Sequence, residues 1–334
     1  MRWIQTNSLV LKAKIYSIRR HPSLIKEILK GKSWDYVQDK SKTLDEKETF
    51  EFISNLKKTC PYHINPDDTP KLNRLCYVED WKNGEVRDTL SQLQKLNLQG
   101  FIHRKDWEWA LGIIAMRRFD KLTKKSTAIG IGCGTEPIPF YLANYINHVY
   151  GTDLYEQTEG WKKAAPTDFP ENPKKYAPFP YNEDALTVLR MDGTKLDFPS
   201  ENFDIAFSFS SIEHFGGKNH SGALKCLREM ERVLKTGGIA VIATEYIIND
   251  KEHPEFFNRR TIYSDLINKL ERLRLVEPLD LRTTTKTLDK IMDYHSAVRW
   301  DTSTDYQFKR KHPLILLRVK DILLTSVMLV FQKQ

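Results

Sequence analysis

The segment Ala128 to Ala143, AIGIGCGTEPIPFYLA, constrains the fold of this chain more than any other stretch. Ala128-Ile129-Gly130-Ile131 is an apolar run of the kind that forms a buried strand. Gly132-Cys133-Gly134 calls for a tight turn, and Pro137 stands where a helix begins. A second strand, His148 to Thr152, ends at Asp153, about 20 residues beyond the first glycine. Strand, glycine turn, helix, strand and acid in that order are the layout of a nucleotide ligand site on a doubly wound sheet. The glycines at 130, 132 and 134 let a ligand approach the backbone, and the acid binds ribose hydroxyls.

Glu136 narrows the choice of nucleotide. It stands where a further glycine of the turn is expected, at a helix N-terminus that a dinucleotide would fill with its pyrophosphate. A carboxylate about 5 Å from that dianion costs roughly 3 kcal/mol per charge pair at an effective dielectric of ~20. NAD(P) is therefore disfavoured. S-adenosylmethionine carries a sulfonium and an ammonium and no phosphate, so an acid beside the turn favours it. Two roles for Glu136 stay open: a cofactor contact, or a first-turn carboxylate that complements the helix dipole.

Beyond the turn, strand and helix alternate regularly, which predicts an α/β layered core. Strands are expected at 185–191, before Asp192-Gly193, and at 203–209, 239–246, 276–281 and 324–332. Helices are expected at Ser221 to Lys235, stopping at Gly237-Gly238, and at Thr261 to Leu273. Upstream, residues 1–102 read as a helical and irregular extension, broken at His21-Pro22 and near Gly31. The domain proper spans 103–334 and opens with a helix at 106–119. Two long insertions interrupt it, about 157–184 and 283–313. Both hold aromatic residues, among them Trp300 and Tyr306 in the second, which suits walls around a substrate.

Charge is uneven: residues 1–126 hold 25 Lys and Arg against 16 Asp and Glu, and the rest holds 27 against 28. Within 1–32, Arg2, Lys12, Lys14, Arg19, Arg20, Lys26, Lys30 and Lys32 face only Glu27. Val10, Leu11, Ile15 and Ile18 form one apolar stripe there, and Leu24, Ile25, Ile28 and Leu29 another. This is the pattern of helices packed on their own domain with solvated lysines, or of a peripheral contact with an anionic membrane surface or other anionic partner. An organelle-targeting segment is a third reading. No apolar stretch approaches a membrane span, and no secretory signal is legible. Cys60, Cys76, Cys133 and Cys226 lack metal-ligand spacing and fit a reducing compartment, so a cytoplasmic location is expected and no metal site.

These residues together resemble a class I S-adenosylmethionine-dependent methyltransferase. The glycine motif is similar to Gly130-Ile131-Gly132-Cys133-Gly134, and the ribose acid to Asp153. The adenine-binding motif is similar to Met191-Asp192-Gly193, and the fourth-strand motif to Asn202 through Ser208 with Ser210-Ser211-Ile212-Glu213-His214 after it. The acid that usually precedes the motif is replaced by Gly130, and its last glycine by Glu136. The resemblance implies a Rossmann-like seven-stranded sheet, mostly parallel with the last strand antiparallel. It also implies methyl transfer from S-adenosylmethionine. A narrower likeness is to a bacterial type-11-like subgroup, often linked to surface glycan or secondary metabolite assembly. His103-Arg104-Lys105, Trp107-Glu108, the G-x-G-x-E-P turn, Glu213-His214, Thr244-Glu245 and Thr325-Ser326 carry it.

Methyl transfer from a sulfonium needs alignment and exclusion of water, and a hydroxyl acceptor also needs a base. His214, Glu213 and Glu245 are the candidate catalytic residues. Candidates for the cofactor are Gly130, Gly132, Gly134, Glu136, Asp153, Asp192, Gly193, Ser210, Arg104 and Trp107. Arg104, Trp107 and Glu108 share helical spacing, and an arginine there can hold the methionine carboxylate in bidentate fashion; an interdomain ion pair around a core Trp is the other reading. Glu245 either orients substrate or pairs with Arg104. His220 and His295 read as surface residues, and Cys133 as structural. The expected function is methyl transfer to a small-molecule or glycan-linked acceptor, at oxygen. A non-catalytic S-adenosylmethionine-binding module is an alternative. A nucleic-acid methyltransferase fits less well, because no Asn/Asp-Pro-Pro-Tyr/Phe motif follows the fourth strand.

Overall fold

The structure, a computed structural model, describes residues 21–59, 62–63, 71–82, 84–94, 101–156 and 164–334. Twelve strands lie among them. They are β1 (Tyr62–His63), β2 (Arg74–Leu75), β3 (Thr127–Ile131), β4 (His148–Asp153), β5 (Leu186–Arg190) and β6 (Phe203–Phe209). After these come β7 (Leu234–Ile247), β8 (Leu273–Leu275), β9 (Thr283–Thr284), β10 (Ile291–Asp293), β11 (Leu316–Val319) and β12 (Ile322–Lys333). The main sheet runs β10-β11-β12-β7-β6-β3-β4-β5, and among the described residues β1 pairs only with β9. Strands β5, β4, β3, β6 and β7 are parallel, and β12 is antiparallel to β7. That is the expected Rossmann-like arrangement. The winding reverses between β3 and β6, so the crevice for a ligand opens at their C-terminal ends.

The sheet has ten strands where seven were expected, and the reason lies beyond β12. One edge position is shared there by three short strands from distant parts of the chain. β11 pairs with Ile322 to Leu324, β2 with Val327 and Met328, and β8 with Phe331 to Lys333. The expected strand at 276–281 is thus replaced by the shorter β8, and the vacated length of β12 is covered by β2 of the N-terminal extension. Asn73 fixes that register: its Oδ1 accepts from the Val330 amide, and its own amide group donates to the Glu277 carbonyl at 2.7 Å. Leu75, Cys76 and Tyr77 lie in the same core as the sheet, so covering and core cross position 102.

Strands in the middle of the sheet are apolar on both faces, as layers of helix on each side require. Residues 323–331 of β12 are all buried. The helix Arg104–Arg118 crosses β7 and β12. It rides so close to β6 that a Cβ on Gly112 would lie 2.6 Å from the Phe209 ring. The helix Ser221–Val233 ends two residues short of expectation, and β7 begins at once and runs through Gly237-Gly238. The helix expected at 261–273 is three irregular turns spanning Arg259–Lys269.

The second aromatic insertion folds on itself. Phe101, Met292, Ala297, Trp300 and Leu314 form a small core of their own, and no described residue of 283–313 lines the cavity described below. The apolar stripe at Val10, Leu11, Ile15 and Ile18 lies outside the described residues. Of the other stripe Leu24 is buried, while Ile25 and Leu29 are 43% and 81% exposed. Among the described residues no helix is long and apolar enough to cross a membrane, and no cluster could hold a metal ion. Cys76, Cys133 and Cys226 are free and buried; Cys60 lies outside the described residues.

Candidate functional site

A cavity of about 580 Å³ opens at the C-terminal ends of β3, β4, β6 and β7. One wall is main chain. Gly132 and Gly134 adopt φ of +65° and +47°, a region that costs any residue with a Cβ, and a Cβ on Gly134 would lie 2.3 Å from the Ala164 carbonyl oxygen. The Gly134 amide donates to Asp153 Oδ2 at 2.9 Å, and the Leu154 amide to Oδ1 at 2.7 Å. Burial raises the Asp153 carboxyl above its usual range, and these two N–H groups oppose that. Tyr155 donates its hydroxyl to the Gly134 carbonyl and ties the end of β4 to the turn.

The opposite wall is built of charge. Arg104 and Lys105 begin the helix Arg104–Arg118, capped by His103, whose Nδ1 accepts from the Lys105 amide at 3.0 Å. Burial pushes His103 down to about 3, so its ring is neutral and free to accept. Lys105 Nζ meets Glu136 Oε1 at 2.8 Å, and Arg104 pairs with Glu245. Beneath them lies Glu108, with no exposed surface. It accepts from Ser210 Oγ at 2.9 Å on both oxygens and from Ser326 Oγ, with Arg104 at 3.4 Å and Lys105 at 3.6 Å. Burial raises the ammonium's partner Glu136, against the pull of Lys105, while its carboxylates hold Lys105 well above the usual lysine range.

Glu136 sits at the N-cap of the helix Pro137–Ala143 yet makes no capping hydrogen bond. Its carboxylate turns into the cavity, to Lys105 and the Trp109 indole N–H. The carboxylate thus points into the cavity and leaves the helix N-terminus without a side-chain cap.

The cavity brings together Gly132, Gly134, Glu136, Asp153, Ser210, Arg104, His214 and Glu245 from the sequence candidates. The others lie off it. Gly130 is in β3, where a Cβ would lie 2.2 Å from Cys133 Sγ and 2.5 Å from the Phe207 ring, so no acid fits in its place. Trp107 points to the far side of its helix and donates to Asp80 at 2.7 Å, beside the Arg74–Asp80 ion pair. Glu213 is buried behind the wall, accepting from Thr244 Oγ1 at 2.9 Å and the Glu245 amide at 3.2 Å. Its carboxyl is pushed up to about 7, by burial first and then by the Glu245 charge. Asp192 is exposed and accepts from the Thr194 amide and hydroxyl; Gly193 backs Phe215, a lining residue.

Sequence reasoning missed Lys105, Glu108 and Trp109 as a group, and Glu255. Lys105, Glu108 and Trp109 stand at i, i+3 and i+4, with Lys105 and Trp109 on the cavity and Glu108 buried beneath it, so this stripe is one residue out of phase with the one inferred from Arg104, Trp107 and Glu108. Glu255 gave no signal: it reaches His214 Nδ1 from a loop after β7. His220 is buried rather than at the surface, its Nδ1 2.9 Å from Asp265. The His295 side chain lies outside the described residues.

A cradle that no Cβ could share, an acid held by two amides and a wall with more carboxylates than cations suit a nucleoside bearing a cation. Residues 129–242 match the family model described as a methyltransferase domain. No curated protein matches the chain. Among solved structures it is similar to a geranyl diphosphate C-methyltransferase from Streptomyces coelicolor A3(2), solved with Mg2+, geranyl diphosphate and S-adenosyl-L-homocysteine. Identity is 14%, covering 87% of this chain and 98% of that one, with a TM-score of 0.45. A geranyl diphosphate methyltransferase solved with S-adenosylmethionine is 13% identical over 69% of this chain and 88% of that one, with a TM-score of 0.43. The matched segment contains the glycine turn, Asp153 and the parallel strands around them, so the chain carries a methyltransferase domain, whose cofactor is S-adenosylmethionine.

Proposed function

We propose that this chain is an enzyme moving a methyl group from S-adenosylmethionine to an oxygen of a small-molecule or glycan-linked acceptor, with His214 as base. The observation that carries this reading is the His214–Glu255 pair on the cavity wall. With Nδ1 donating to the Glu255 carboxylate, Nε2 is the nitrogen that accepts the hydroxyl proton. Bound S-adenosylmethionine supplies a methyl on a sulfonium whose charge is lost in the transfer. Asp153 holds the ribose and the glycine turn admits it. Lys105 and Arg104 face the methionine carboxylate, and Glu136 the ammonium. Phe209, Phe215 and Trp109 keep water from the transfer. Glu245, fixed by Arg104, orients the acceptor, and Glu213 holds Glu245 from behind.

Calorimetry with S-adenosylmethionine and with NAD, and a labelled-methyl screen of extracts for the acceptor, test this directly. His214→Ala is expected to lower kcat by about 10²–10³ while leaving the Kd for S-adenosylmethionine within about twofold. Unchanged turnover would remove the base, and NAD binding in place of S-adenosylmethionine would remove the reading altogether. As a partner we propose an anionic membrane surface met through residues 1–32, where exposed Ile25 and Leu29 lie among exposed Lys26, Lys30 and Lys32. Salt-sensitive binding to anionic vesicles, lost on deleting 1–32, is the expected result.

A further inference from the structure

Five side chains of formal charge meet at the helix side of the cavity: Arg104, Lys105, Glu108, Glu136 and Glu245. Two are cations and three are carboxylates, so one negative charge is left without a match. Glu213, behind Glu245, adds at most one more of the same sign. Glu108 is the member that no cavity ligand can reach. Its side chain has no exposed surface, and its oxygens are taken up by Ser210, Ser326 and Arg104. Its position is therefore fixed whether the cavity is filled or not. Ser210, which it holds, has a left-handed φ of +45° and is itself a lining residue.

S-adenosylmethionine has a sulfonium, an ammonium and a carboxylate, one net positive charge. The thioether left after methyl transfer has lost the sulfonium and is net neutral. We propose that Glu108 is a positioning residue whose buried charge makes this site select the sulfonium form over the thioether, so that the spent cofactor leaves readily. The inference rests on the cofactor reading above and adds to it. The methionine end and the nucleoside are common to both ligands. Whatever Glu108 does for them cancels in the ratio of the two affinities, and only the sulfonium charge remains. Removing a unit charge ~10 Å away at an effective dielectric of ~20 changes such a ratio by about tenfold.

Calorimetric Kd values for S-adenosylmethionine and S-adenosylhomocysteine, taken on the full chain, decide it. Glu108→Gln, which keeps an oxygen acceptor for the serines, is expected to lower the preference for the sulfonium by about tenfold. Arg104→Gln removes a cation and is expected to raise it, the opposite sign. Ser326→Ala removes a hydrogen bond to Glu108 without changing charge and is expected to leave the ratio where it is. A ratio unmoved in Glu108→Gln, or moved as much by Ser326→Ala, overturns the proposal. If Glu108→Gln does not fold, a ratio that falls or stays level in Arg104→Gln overturns it instead. Wild-type protein that binds neither ligand would mark failure of the cofactor reading itself.

Discussion

The two walls of the cavity are made of different materials. The glycine-turn wall is main chain and one acid: Gly132, Gly134, Asp153 and the amides that hold its carboxylate, all within the β3–β4 unit. The helix wall is side-chain charge assembled from far apart in sequence. Arg104 meets Glu245, 141 residues away, and Glu108 meets Ser326, 218 residues away. A wall made by local backbone geometry needs little more than one stretch of chain. A wall of converging charges exists only once the sheet, the helix and the turn are all in place. On the reading proposed above, the first wall holds the nucleoside and the second selects its charge.

The largest effect that would sharpen this contrast is at Asp153. Asp153→Ala is expected to weaken S-adenosylmethionine binding by about a hundredfold or more, because two charge-assisted hydrogen bonds to a ligand are each worth roughly 1.5–3 kcal/mol. The Gly134 amide also loses its acceptor, so the turn loosens. S-adenosylhomocysteine binding should fall by the same factor, since the ribose is common to both. A variant that loses one ligand much more than the other would show that the turn wall also reads charge, and the contrast would dissolve.

How much of this was legible in sequence follows the same division. Strand, turn, helix, strand and acid are read by periodicity and spacing, and β3, β4, β5 and β6 lie within a residue of their expected bounds. The helix wall was half legible. A pairing of Arg104 with Glu245 was one of two readings of Glu245, but the stripe of the Arg104 helix was read with Trp107 in it, and Trp107 belongs to the opposite face. Helical spacing names two faces; it does not say which one meets the sheet. The shared edge of β12 was not legible at all. β2, β8 and β11 are two to four residues long, too short for an alternation pattern, and each is a strand because β12 offers it hydrogen bonds. Glu136 lies between these cases: its anomaly in the turn was visible, and its partner Lys105 was not.

A middle-sized effect tests the helix wall through pH. Glu213 carries its proton up to about 7 in the folded chain, chiefly because it is buried. A carboxyl ionises near 4.3 when the chain is unfolded. Between those two values the unfolded state sheds its proton while the folded state keeps it, so stability falls as pH rises from about 4.5 to about 7 and levels off above. Glu213→Gln removes that slope while keeping an oxygen for Thr244 and the Glu245 amide. Relative to wild type it is expected to gain up to roughly 2–3 kcal/mol between pH 4.5 and 8. Denaturant unfolding at both pH values measures it. Parallel pH dependence in the two proteins would mean that Glu213 is ionised in the folded wall.

The smallest effect separates the two faces of the helix Arg104–Arg118. Trp107 donates to Asp80 at 2.7 Å, and Asp80 still has both terminal nitrogens of Arg74, at 2.7 and 2.8 Å, when that donor is removed. Trp107→Phe should therefore cost only about 1–2 kcal/mol of stability, from one hydrogen bond and a modest void, because no charge is stranded. The cavity-facing residues of the same helix are held elsewhere: Arg104 by Glu245 and the Leu314 carbonyl on its amide, Lys105 by Glu136 and the His103 cap. The Kd for S-adenosylmethionine is thus expected to stay within about threefold, with the sulfonium preference unmoved. Loss of binding out of proportion to loss of stability would show that the N-terminal extension positions Arg104 and Lys105 through Trp107. In that case the helix wall would begin not at residue 104 but at the Arg74–Asp80 pair.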